Sequence, residues 1–255
     1  MKKILYILIA LLIVSCQPTL IAEFEDQPVV SCYLEQGISP VLTVQKLISL
    51  RDDVEYSDED VDKLLITITD NSTAQSYQLD ALGDGQYQNS SLIIEEGGEY
   101  SLEFTYNGNL ITSSTTVPTL PVNVDFSTSY IYVSTPTGPD SDSNIDVTWD
   151  NEEGDYYIVE GFTTSTNPII EDDSTSTKSV RLSYTQGESS SLSKSSFNYY
   201  GSYEMSVLHI TYEYAIYSQG TGSSSSDLVD IRGNIDGGYG IFTGIGREVK
   251  SISIK

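Results

Sequence analysis

Beyond the first fifteen residues, nearly every apolar segment of this chain alternates with a period of two. Leu64, Ile66 and Ile68 alternate with Leu65, Thr67 and Thr69; Tyr100, Leu102, Phe104 and Tyr106 alternate with Ser101, Glu103 and Thr105. Ile145, Val147 and Trp149 stand against Asp146, Thr148 and Asp150, and Ile210, Tyr212, Tyr214 and Ile216 share a face in the same register. A period of two places successive side chains on opposite sides of a sheet, and the β-branched and aromatic residues suit a half-buried strand. Turn signals separate these runs at Asp84-Gly85, Gly97-Gly98, Asn107-Gly108 and Gly154-Asp155. Asn107-Gly108, set between two alternating runs, predicts a two-residue hairpin turn in which both central residues take positive φ. No window of eleven residues carries a sustained helical stripe. The fold class is therefore all-β, built from sandwiches.

The exception to the alternation is the start. Lys2 and Lys3 precede an unbroken apolar run from Ile4 to Val14, and Ser15 and Cys16 follow it. A basic start, a short apolar stretch and a small residue before cysteine read as a secretory signal peptide (residues 1–15) with a lipoprotein cleavage site. Eleven apolar residues are too few for a bilayer-spanning helix, which needs ~20. Cys16 is then the lipidated residue, and residues 16–25 form a tether. Several acyl chains hold a protein on a membrane durably. Gln17, in place of Asp, resembles lipoproteins delivered to the outer membrane, so the expected address is the outer membrane, lipid-anchored, on the cell surface.

Thr116-Val117-Pro118-Thr119-Leu120-Pro121 carries two prolines three apart and reads as an extended connector. It divides the mature chain into domains at 26–118 and 122–255. Segments 135–143, 171–178 and 220–226 are rich in Ser, Asp and Gly and read as loops. Of 255 residues, 12 are Lys or Arg and 37 are Asp or Glu, a net charge of −25. Removal of Lys2 and Lys3 leaves 10 basic residues against 37 acidic ones, or −27. Such a balance repels phosphate backbones and excludes nucleic acid as a partner. With Cys16 acylated, Cys32 has no disulfide partner, and its apolar setting in Val29 to Leu34 predicts a buried, inert thiol.

Candidate chemistry is sparse. His209 is the only histidine, so no histidine-pair metal site can form, and no nucleophile elbow accompanies it. It lies in a strand pattern opposite Ile210 and Tyr212, which predicts a histidine on the strand surface. Asp140-Ser-Asp142-Ser-Asn144 begins like a calcium loop, but Ile145 stands where Gly is needed and Asn151 where Glu is needed. A looser calcium site there, or within Asp52 to Asp62, is the one cofactor the sequence leaves open. Gly233 to Arg247 is glycine-rich, yet no helix pattern follows, so it predicts a tight turn entering a final buried strand rather than a dinucleotide loop. In Phe197-Asn198-Tyr199-Tyr200, Tyr199 and Tyr200 are the aromatics expected to be exposed for interaction. These residues assemble no catalytic constellation, and the expected protein is not an enzyme.

The order of features resembles a Bacteroidetes-type lipoprotein family, domain of unknown function 4249 (DUF4249). The resemblance rests on the lipobox, Val29-Val30-Ser31-Cys32-Tyr33-Leu34, Leu64 to Asp70, Gly85-Gln86-Tyr87, Gly97 to Leu102 and Thr115-Thr116-Val117-Pro118. It continues through Val147 to Tyr157 and closes on Asn234-Ile-Asp-Gly237-Gly238-Tyr-Gly240-Ile-Phe242, its most specific element. It implies an immunoglobulin-like or carboxypeptidase-regulatory-like first domain and a fibronectin type III-like second one. It also implies a partner, since such lipoproteins are similar in setting to accessory subunits of TonB-dependent outer-membrane β-barrels. The alternative is a free-standing surface adhesion or glycan-binding module.

Overall fold

The computed structural model describes residues 24–49, 55, 57–131, 144–151, 153–165, 178–220 and 233–255. The first half contributes β1 (Pro28–Glu35), β2 (Val41–Lys46), β3 (Thr67–Asp70), β4 (Gln75–Gln78), β5 (Asp80–Gly83), β6 (Gln86–Gln88), β7 (Glu99–Tyr106) and β8 (Asn109–Thr116). The second adds β9 (Asp125–Phe126), β10 (Tyr130–Ile131), β11 (Ile145–Thr148), β12 (Tyr156–Thr163), β13 (Ser179–Arg181), β14 (Ser189–Leu192), β15 (Gly201–Ile210), one helix α1 (Tyr212–Gly220) and β16 (Tyr239–Ile254). The protein is all-β, as the alternation requires.

A nine-stranded sheet runs β13-β12-β15-β16-β1-β2-β6-β5, with β10 added alongside β16. The sheet β4-β3-β7-β8 packs over its first-half end, and β14-β11-β9 over its second-half end. Alternation is what builds each core. Val30, Cys32 and Leu34 of β1 face Tyr100, Leu102, Phe104 and Tyr106 of β7 in one cluster. Ile145 and Val147 of β11 meet Val159, Met205 and Val207 in another. One core is built from residues 30–117 together with Ile235 and Phe242, and another from residues 124–254. The large sheet crosses between them, because β16 runs parallel to β1 from Tyr239 to Ile245 and antiparallel to β15 from Ile245 to Ile254.

The turn chemistry follows the sequence. Asn107 and Gly108 take φ of 49° and 78° between β7 and β8, and Asp84 and Gly85 take 53° and 70° between β5 and β6. Cys32 is fully buried as a free thiol, and burial pushes its pKa up. One pattern is overturned. Tyr212, Tyr214 and Ile216 do not continue a strand with Ile210; they belong to α1. Ile210 is the last residue of β15 to find partners, Tyr156 on one side and Ile245 on the other. Past that point the backbone satisfies itself by winding up. Thr211 caps the helix, its Oγ1 accepting from Tyr214 N at 3.2 Å and its carbonyl from Ala215 N at 3.0 Å. The helix then lays Tyr214 and Ala215 on Ile158, Leu208, Ile241 and Ile245 of the large sheet.

Candidate functional site

Of the residues nominated by sequence, His209 and the end of the glycine-rich stretch lie at the waist, where the connector crosses β16. Gly244 and Gly246 make a trough there. A Cβ on Gly244 would stand 2.5 Å from the Thr116 carbonyl oxygen, and one on Gly246 would stand 2.2 Å from that of Thr119. His209, on the adjacent strand β15, clips the connector into this trough. Its Nδ1 lies 2.9 Å from the Thr119 carbonyl, its Nε2 3.3 Å from Asp155 Oδ2, and its ring stacks on Tyr157 at 4.8 Å. Tyr157 in turn packs on Trp149 at 5.3 Å, forming an aromatic column from the second core to the connector. Burial, followed by the charges of Asp155 and Asp150, pushes the Tyr157 hydroxyl up to about 12.

The sequence therefore places His209 on the right face but misjudges its exposure. That face is the core side of β15, with Tyr203, Met205 and Val207, and only 8 % of His209 is exposed. Both ring nitrogens are engaged, one by a backbone carbonyl and one by a carboxylate, which suits a positioning clip rather than a general base.

The closing motif is a second clip. Asn234 Oδ1 accepts from Phe242 N at 2.9 Å and Nδ2 donates to Phe242 O at 2.7 Å, so the side chain imitates a strand neighbour. Its own carbonyl accepts from Ser113 Oγ at 2.7 Å, and Asp236 exchanges backbone bonds with Thr112. Gly237 and Gly238 let this turn pass over Leu110 and Pro28. Gly240 sits at φ 102° where a Cβ would meet the Val30 carbonyl at 1.9 Å. Phe242 is fully buried in the first core although it belongs to the last strand. The motif thus fastens the end of the chain to β1 and β8.

Tyr199 is buried, and Tyr200 packs partly under the same core. Phe197 is buried as well, edge-on to Tyr203 at 5.1 Å, and Tyr199 N donates to Tyr203 Oη. A 3₁₀ turn at Lys194–Ser196 folds the stretch beneath the sheet. The serines and asparagine around it disguised a core segment as a loop. Exposed aromatic surface lies elsewhere, on the face of the large sheet that carries α1: Tyr33, Tyr212 and Phe162 are 38 %, 57 % and 45 % exposed. Here Arg247 reaches Glu35 at 3.1 Å and Glu160 at 3.4 Å, while Arg181 donates to Tyr214 Oη at 2.7 Å, beside Tyr33. Burial drives the Tyr33 hydroxyl upward, with Tyr214 adding to it. Glu35, Glu160, Arg181 and Arg247 come from four strands, so no spacing in the sequence announces them.

Cys16 and the signal segment lie outside the described residues, as do Asp140 to Ser143 of the calcium-like stretch and Asp52 to Val54 of the other. Of the described acidic side chains near the latter, Asp62 accepts from Gly85 N and Glu59 from Asn107 N, while Asp60 pairs with Lys63. Among the described residues no group of three or more metal-ligating side chains is gathered, and no helix is long and apolar enough to cross a membrane.

Two clefts border the waist. One of about 540 Å³ lies between Tyr100, Thr115, Thr116 and the start of α1 at Thr211 and Glu213. The other, of about 670 Å³, runs along the connector beside Glu96, Glu248 and Lys250.

A family model described as Domain of unknown function (DUF4249) matches residues 15–251. No curated protein matches the sequence. Solved structures similar to it include the FN1-FN3 domains of chicken CNTN1, at 13 % identity and a TM-score of 0.28 over 72 % of this chain and 59 % of that one. Domains A168-A170 from titin match at 12 % and 0.23, over 89 % and 62 %. DIP-gamma IG1+IG2 matches at 10 % and 0.22, over 91 % and 96 %. The chain thus spans under two thirds of the first two.

Proposed function

We propose that this chain, which belongs to the DUF4249 family, is a non-catalytic binding subunit anchored in the outer membrane through Cys16 and assembled with a TonB-dependent β-barrel. The observation that carries the reading is the α1 face of the large sheet. On a chain of net charge −25 this face gathers Arg181 and Arg247 against Glu35 and Glu160, flanked by exposed Tyr33, Phe162 and Val249. Aromatic and arginine side chains with internally paired charge suit contact with another macromolecule. The lipobox supports the address. The residues that could have suggested chemistry, His209 and the closing glycines, serve the fold.

A free-standing glycan binder is the second reading. It now rests on the tyrosines grouped around α1, where Tyr156 packs on Tyr184 and Tyr212 at 5.5 and 5.7 Å, rather than on Tyr199 and Tyr200.

The test is purification of the tagged full-length protein from its own membranes in mild detergent, beside a Cys16→Ala control. One TonB-dependent barrel in near-equal amount, lost in the control, is the expected result. Recovery of the lipoprotein alone refutes the assembly, and glycan binding lost in Tyr212→Ala establishes the second reading.

A further inference from the structure

One edge of β16 is interrupted. Along its other edge, β15 pairs with it continuously from Ile245 to Ile254, with no register shift. On the interrupted edge β1 pairs only as far as Ile245, and β10 resumes only at Ser253. No described strand pairs with residues 246–252 on that side, a gap of about 23 Å at ~3.3 Å per residue.

The direction of the peptide groups in the gap follows from its far end. Ser253 and Lys255 donate their N–H groups to the carbonyls of Ser129 and Ile131, on the β10 side. In an unbroken register the direction alternates residue by residue. Arg247, Val249 and Ser251 therefore also point N–H and C=O into the gap, and none of the three has a backbone partner there among the described residues. Exposure changes at the same place: β16 is buried from Gly240 to Gly246, whereas Val249 and Ser251 are exposed.

We infer that this notch receives an extended peptide segment of another protein, which completes the sheet between β1 and β10. Three further features fit that occupant. The cleft of about 670 Å³ shares Glu248 and Lys250 with the notch and adds Glu96, Leu120 and Val122; Lys250 Nζ is turned to the Val124 carbonyl, so side chains of an inserted strand meet an apolar wall bearing the carboxylates of Glu96 and Glu248. Both flanking strands run parallel to β16, so a segment can lie in line with them. The connector cannot fill the gap itself, because His209 and the glycine trough hold Thr119 against the face of the sheet. The strands ending the large sheet, β13 and β5, have only three and four residues, which blunts them as templates. The notch is longer than either. Backbone pairing supplies the affinity, and alternate side chains the selectivity for apolar residues interspersed with a basic one facing Glu96 and Glu248.

Hydrogen exchange by NMR on the full mature chain tests this. The amides of Arg247, Val249 and Ser251 should exchange at least about ten-fold faster than those of Glu248, Lys250 and Ile252 in the same strand. Heptapeptides selected from a displayed random library should slow those three amides. Their binding should weaken at least about ten-fold on N-methylation of alternate peptide residues, and equally with Val249→Pro. That substitution removes an N–H the β15 ladder does not use, so the protection of Glu248 and Lys250 should persist; if it does not, the N-methylated peptides alone decide. The proposal is overturned if the three amides are already protected in the free chain, if no peptide is selected, or if N-methylation leaves binding unchanged. Co-purification of a barrel is a separate outcome, so this inference and the transporter reading stand or fall independently.

Discussion

The two ends of β16 are one continuous strand put to opposite uses. From Gly240 to Gly246 it is buried, held by β1 at its edge and crossed by the connector at Gly244 and Gly246. From Arg247 to Ile254 it alternates between Ile252 and Ile254, in the second core, and side chains that reach solvent or the α1 face. Glycine is what separates them. Where backbone must pass over backbone, a side chain has nowhere to go; where the neighbour is solvent, each position tolerates change. Rigidity at the waist and openness beyond it come from the same element.

The sharpest way to break the contrast is to put a side chain in the front half. Gly240→Val should cost about 3 kcal/mol or more, or abolish folding, since it combines a strained φ with a collision against Val30. Urea unfolding measures it, and a wild-type midpoint would show that β1 and β16 do not approach as described. Asn234→Ala should follow, at about 2–3 kcal/mol, because the N–H and C=O of Phe242 lose their partners inside the protein. For a protein of this size that lowers the melting temperature by about 5–10 °C.

His209→Ala should cost about 1–2 kcal/mol and, more tellingly, speed proteolysis within residues 117–124, since the clip on Thr119 is gone. Unchanged cleavage would mean the glycine trough alone seats the connector. In the rear half Val249→Thr should stay within about 0.5 kcal/mol.

Titration separates the two ends of the molecule in another way. Burial alone would raise the pKa of Asp26, but hydrogen bonds from Ser57, Tyr106 and Asn107 outweigh it and hold the carboxyl below its ordinary 3.8. Asp70, bonded by Thr73 and Ser72, is lowered in the same manner. A depressed carboxyl stabilises the fold above its unfolded pKa and loses that contribution as pH falls through the folded value. Both groups are in the first half, so acid below pH 3.8 should loosen that half first, and Asp26→Asn should flatten the acid limb of a melting curve. Tyr106 and Tyr157, one in each half, are both pushed up to about 12, chiefly by burial. Their contribution is full below pH 10 and fades as pH rises toward 12, so alkali should weaken both halves together.

Much of the architecture was legible because local rules survive assembly. Tyr100, Leu102, Phe104 and Tyr106 are buried together on one side of β7, and Asn107-Gly108 makes the turn its chemistry demands. Misreadings arose where tertiary neighbours changed a local pattern's meaning. Tyr212 and Tyr214 kept a strand-like spacing but had no strand to pair with, so the chain wound into α1. Tyr199 sat among polar residues, yet was folded under the sheet.

By itself the sequence determined the all-β class, the hairpin turns, the inert cysteine and the acidic surface, each of which depends on a residue and its near neighbours. Only the tertiary structure decided that the last strand runs beside the first, that His209 clips a connector ninety residues away, and that a stretch of β16 is left without a partner on one edge. Strand pairing is a property of two segments brought together, and the backbone groups that make it are the same in every residue. Side-chain identity can favour a strand, but which edges meet, and which stay open, is settled by how the whole chain packs.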